Sequence, residues 1–124
     1  MLDYYDSEIE LLGDVGVLAV TGETDLASAP KLRRDLDEVM EVTPGDVVLD
    51  LTDLDLVDST ALGLMLAAAG RMTIERRALV LVVTSRHVLP VLSITGLRDL
   101  FSIVPTRAAA MSRVTSGWAS RKVA

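Results

Sequence analysis

Apolar runs at residues 9–12 and 15–20 flank Gly13-Asp14, a pattern that predicts a β-hairpin closed by a tight turn. The loop TGETDLASA follows. Ser28 is then placed to cap a helix whose first turn tolerates Pro30. Leu32, Leu36, Val39 and Met40 recur at helical spacing, with Arg33, Arg34, Asp37 and Glu38 facing away. Thr43-Pro44-Gly45 ends that helix. Residues 47–51 form a short, nearly continuous apolar run, as in a strand covered on both faces. An acidic loop stops at Asp58, a helix is expected from Ser59 to about Gly70, and residues 78–83 read as another buried strand. Ser85 is suited to cap a short third helix carrying Val88, Val91, Leu92 and Ile94 and ended by Gly96. Pro90 falls inside that helix, where its missing N–H predicts a kink or a delayed start. Residues 101–104 read as a last short strand, and Thr106 to about Val114 as a fourth helix helped by Ala108, Ala109 and Ala110.

The order β-β-α-β-α-β-α-β-α implies an α/β fold: a small mixed sheet of about five strands with parallel pairs, and about four helices mainly on one face. No internal repeat is visible. A single domain over residues 1–115 is expected, with 116–124 poorly ordered and Trp118 the one residue there suited to docking.

The segment LVDSTALGLML, residues 56–66, carries the most distinctive chemistry. Asp58 is placed to cap the helix through its carboxylate. Ser59 and Thr60 then fall in the first turn, where side chains are often exposed and backbone N–H groups lack intrahelical partners. With Leu62, Met65, Leu66 and Ala69 on the core face, the opposite face carries Thr60, Ala61, Leu64, Ala67, Ala68 and Arg71. Small and apolar residues there leave a patch that another protein could cover; the alternative is a helix buried on both sides within this domain. A hydroxyl at the entrance to such a patch makes a switch. Phosphorylation adds a charge of about −1.5 to −2 at the rim of an apolar contact. The helix N-terminus favours that phosphate in the folded domain, while the partner meets a charge it must desolvate and Asp58 adds like-charge repulsion.

Composition narrows the classes. Among 124 residues, half are hydrophobic but only 3% aromatic, so Leu, Val, Ile, Ala and Met must fill the core. The absence of cysteine removes disulfides, thiolate chemistry and sulfur-ligated metal. No basic-then-apolar leader opens the chain and no apolar run reaches the roughly 18 residues of a membrane span, so a cytoplasmic protein without membrane insertion is expected. Residues 1–58 hold 16 of the 18 acids and 3 of the 12 bases, leaving the second half net positive. Arg107, Arg113, Arg121 and Lys122 read as a solvated basic end. A pI near 4.6 and the scarcity of aromatics argue against nucleic-acid binding. Asp53-Leu-Asp55-Leu-Val57 has the outline of an aspartyl phosphatase motif but lacks its late lysine and acidic pair. His87, the sole histidine, has no G-x-S-x-G serine to serve. Asp50, Asp53, Asp55 and Asp58 lack the glycine and terminal glutamate of a calcium loop. No active site assembles, and neither a metal nor a cofactor is expected.

LVDSTALGLML resembles the phosphorylation segment of STAS-domain anti-sigma-factor antagonists, where D-S-[ST]-G-L-G follows an apolar strand. TGETDLASAPKLRRDL resembles the G-E-x-D…A-P-x-L segment of the same family, and SITGLRDLFSI its later T-G-L motif, so that the likeness spans residues 8–105. The resemblance implies a STAS-like fold and Ser59 as the phosphosite, with Thr60 the less favoured neighbour. It makes Asp25 and Asp58 candidates for kinase contact. In the family the unmodified protein binds an anti-sigma factor that is also a serine kinase and so frees a sigma factor; a PP2C-type phosphatase resets it. ATP then belongs to the partner. Ala61 stands where the family usually has glycine, placing a methyl beside the implied site. An alternative role is a STAS subunit docking to a membrane permease, and the sequence leaves a homodimer open.

Overall fold

A computed structural model describes residues 4–94 and 101–114 of the chain. Strands β1 (Tyr5–Leu12) and β2 (Val15–Glu23) pair antiparallel with Leu12 opposite Val15. Gly13 supplies the left-handed φ of +64° that so tight a turn requires. The chain then alternates helices and strands: α1 (Ala29–Val42), β3 (Val47–Asp50), β4 (Leu54–Leu56), α2 (Ser59–Ile74), β5 (Leu79–Val82), α3 (Val88–Ile94) and β6 (Ser102–Val104). A last helix, α4, occupies residues 107–114. The main path of the sheet runs β1-β2-β3-β5-β6, with β4 paired to the end of β2; every pair beyond the hairpin is parallel.

The apolar runs around β3 and β5 are continuous because both sheet faces are covered. On one face Leu18, Val20, Leu49, Leu51, Leu81 and Val83 join side chains from α1, α2 and α3. On the other, Val17, Val48, Val80, Val82 and Val104 meet Ala110 and Val114 of α4. The expected mixed sheet with helices mainly on one face is therefore present, with six strands rather than five and four helices among the described residues.

Several local features depart from the sequence pattern. Strand β4 forms within the acidic loop, where Leu54 is buried and anchors three residues beside β2. Helix α2 runs through Gly70 to Ile74. Ser28 does not cap α1 through its side chain; its hydroxyl accepts the Asp25 N–H at 2.9 Å, and the Asp25 carboxylate accepts the Ser28 N–H at 2.8 Å. Helix α3 begins only at Val88, so Pro90 lies in its first turn, where a missing N–H costs little. The delayed start, not a kink, accommodates the proline. Gly96, Trp118 and the segment 116–124 lie outside the described residues. No helix among the described residues is long and apolar enough to cross a membrane.

Candidate functional site around Ser59

Asp58 caps α2 as its position demands. Its backbone is extended (φ −95°, ψ 172°) and its Oδ1 accepts the Ala61 N–H at 3.0 Å. Ser59 is thus the first residue of the helix, solvent-exposed, with Thr60 half-buried behind it. The backbone N–H groups of both lie in the turn that has no intrahelical acceptors. Among the described residues no hydrogen bond ties down the Ser59 hydroxyl.

The cap is itself held. Thr24, at the end of β2 and only 7% exposed, accepts the Asp58 N–H at 2.9 Å and donates its hydroxyl to Asp58 Oδ1 at 3.0 Å. Its own N–H donates to the Leu56 carbonyl at 3.1 Å. Asp25, the next residue, is half-exposed and bound to Ser28. The β2–α1 and β4–α2 loops are therefore stitched side by side, and Asp25, Asp58, Ser59 and Thr60 come together on that end of the domain. Pattern reasoning reached those four but missed Thr24, because a threonine after a strand carries no signal of a contact 34 residues away.

Two parts of the expected docking face are corrected. Ala61 and Ala68 are 1% and 3% exposed and belong to the main core with Leu62, Met65 and Met72. The inward arc of α2 is wider than one stripe, since the helix packs on both the sheet and α1, and small side chains at 61 and 68 suit that close approach. The Ala61 methyl therefore lies in the core and leaves the approach to Ser59 clear. Leu66 and Ala69, expected in the core, are only half-buried. The outward stripe is instead Ser59, Gly63, Ala67, Gly70 and Ile74, uncharged throughout. Ile74 is 84% exposed, and Leu26 and Leu56 extend the exposed apolar surface beside the stitched loops at 77% and 49%. Leu64, half-buried, lines a groove of about 360 Å³ between α1 and α2 with Ala67, Leu36 and Met40. Arg71 closes one rim through a 2.7 Å ion pair with Asp37.

The acids that suggested other chemistry have structural partners or face water. Burial pushes the Asp50 carboxyl up, but hydrogen bonds from Thr52 and the Arg107 guanidinium outweigh it and hold the group below its ordinary value. Asp53 and Asp55 are exposed, as is His87. No group of three metal-ligating side chains gathers among the described residues. Arg107 and Arg113, expected to be merely solvated, are engaged: Arg107 pairs with Asp50 and Glu10, and Arg113 donates to the Ser102 hydroxyl.

The domain is thus a mixed sheet covered on both faces, with an exposed serine opening its second helix. Residues 6–110 match the STAS domain, and the chain belongs to that family. It is 38% identical over 85 residues to an anti-sigma-B factor antagonist of Listeria monocytogenes, covering 68% of this chain and 74% of that one. The crystal structure of an anti-sigma factor antagonist from Mycobacterium paratuberculosis superposes with a TM-score of 0.80 at 25% identity, over 91% of this chain and 96% of the other. A sulfate transporter family protein from Wolinella succinogenes shares the fold at 17% identity, with a TM-score of 0.73 over 87% and 91% of the two chains. The protein is thus a non-enzymatic regulatory domain of the STAS family.

Proposed function

We propose that the protein is an anti-sigma-factor antagonist. It binds a cognate anti-sigma factor that is also a serine kinase, frees the sigma factor held there, and is switched off by phosphorylation of Ser59. The observation that carries this reading is the position of Ser59: exposed, untethered, at the N-terminus of α2 and at the head of an uncharged outward stripe. The 38% identity to the Listeria antagonist supports the same role.

The physics of the switch is local. A phosphate on Ser59 sits where free N–H groups and the helix dipole favour negative charge, a gain of roughly 0.3–1 kcal/mol that offsets repulsion from Asp58. The fold is retained. A partner lying on Leu26, Leu56, Leu64 and Ala67 meets a dianion that it must strip of water. Asp25, Asp58 and Thr60 border the phosphoacceptor and complete the contact surface; a PP2C-type phosphatase restores the binding form.

The test begins with co-purification. An ATP-binding anti-sigma factor recovered with the protein supports the reading; a membrane permease in its place overturns it. With the partner in hand, Ser59→Glu should bind far more weakly than the unmodified protein, and Ser59→Ala should bind but resist labelling by ATP. Equal binding of all three forms removes the switch.

A further inference from the structure

Among the described residues, Thr24 is the buried polar side chain that links both loops of the site. Its hydroxyl uses acceptor and donor capacity on the same residue, taking the Asp58 N–H at 2.9 Å and giving its proton to Asp58 Oδ1 at 3.0 Å. That carboxylate oxygen also receives the Ala61 N–H at 3.0 Å. On the other side, the chain passes directly from Thr24 into the reciprocal Asp25–Ser28 pair that opens the approach to α1. Two hydrogen-bonded clusters, Ser28 with Asp25 and Thr24 with Asp58 and the first turn of α2, are therefore joined through the Thr24–Asp25 peptide bond.

We propose that Thr24 is the positioning residue of this site, a clasp that makes the Asp25 turn, the Asp58 cap and Ser59 move as one unit. The proposal rests on the reading of Ser59 as the switch only for its purpose; the clasp itself needs no partner. It has a specific use when charge arrives at position 59. A phosphate or glutamate there repels the adjacent Asp58 carboxylate, and a carboxylate that swung away would uncap α2 and leave the N–H of buried Ala61 without its acceptor. The Thr24 donor holds the carboxylate in place against that repulsion. The charge then appears on an intact surface instead of loosening it.

Amide hydrogen exchange tests this on the full chain. In the unmutated protein the Ser28, Asp58 and Ala61 amides should share one opening constant and one denaturant dependence, distinct from sheet amides such as Val48 and Leu81. Thr24→Val keeps the shape and removes the hydroxyl; it should speed exchange at all three amides by about ten-fold, the scale of one lost hydrogen bond, with the sheet unchanged. Thr24→Ser should restore protection. Combining Thr24→Val with Ser59→Glu should accelerate exchange beyond the product of the separate effects. Separate openings of the two loops in the unmutated protein, or multiplicative effects in the double variant, overturn the proposal. The unmutated measurement stands even where Thr24→Val folds poorly. Because no arm uses the anti-sigma factor, failure of the antagonist reading and failure of the clasp are separately visible.

Discussion

Gly63 and Gly70 sit on the exposed face of α2, and a Cβ added at either would meet nothing within 4 Å. Neither adopts a backbone conformation reserved for glycine. In a helix interior each costs roughly 0.5–1 kcal/mol relative to alanine. The fold therefore gains nothing from them, whereas a partner whose backbone lies against α2 does. Gly63→Ala and Gly70→Ala should each raise stability in urea unfolding by about 0.5–1 kcal/mol while weakening association with the anti-sigma factor. Gains in stability with undiminished binding would place the contact elsewhere. At this scale the sequence was readable where chemistry is local. The Asp58 cap and the exposure of Ser59 follow from residue type and position. The Thr24–Asp58 pair does not, because the loops that bring it together are joined only once β4 pairs with β2.

Elements were legible wherever burial imposed a single period, and blurred where an element touched two neighbours. Leu32, Leu36, Val39 and Met40 gave α1 its inward face and are buried. Helix α2 packs on the sheet and α1 together, so Ala61 and Ala68 turned inward although one apolar stripe assigns them outside. Strand β4 was hidden among carboxylates, with only Leu54 to mark it. Element ends have their own chemistry. Arg77 reaches back to the C-terminal end of α1, donating to the Met40, Thr43 and Gly45 carbonyls at 3.0, 2.7 and 2.7 Å. Those carbonyls lack helical partners, and a cation there complements the dipole. Arg77→Ala should cost roughly 2–3 kcal/mol, read as a lower urea midpoint with an unchanged slope; a smaller loss would show that water replaces the guanidinium.

Helix α4 is fastened partly by charge. Asp50 accepts from Arg107 at 2.9 Å, and its carboxyl is held below the ordinary value of 3.8. A depressed folded-state pKa gives stability that is present above that ordinary value and lost as pH falls through the lower, folded one. Arg107 is 40% exposed, so solvent screening limits the pair to roughly 1 kcal/mol. Asp50→Asn should be less stable than the parent by about that amount at neutral pH, and the gap should close below the ordinary carboxylate range. A gap independent of pH would assign the loss to packing.

For the whole molecule, the uneven charge of the chain becomes a joining device. Arg71 and Arg107, from the basic second half, pair with Asp37, Asp50 and Glu10 of the acidic first half. The separation of charge along the sequence was plain, but its closure into cross-chain pairs depends on the sheet order. On the proposed reading, the domain keeps its shape while one new charge appears at Ser59. The direct measurement is the affinity of the cognate anti-sigma factor for the unmodified protein and for the same protein phosphorylated on Ser59, taken by calorimetry with thermal unfolding of both forms in parallel. We predict at least about a hundred-fold loss of affinity, the scale of a desolvated like-charge contact, with nearly equal unfolding temperatures. Equal affinities, or a loss matched by unfolding of the phosphorylated form, would contradict the account.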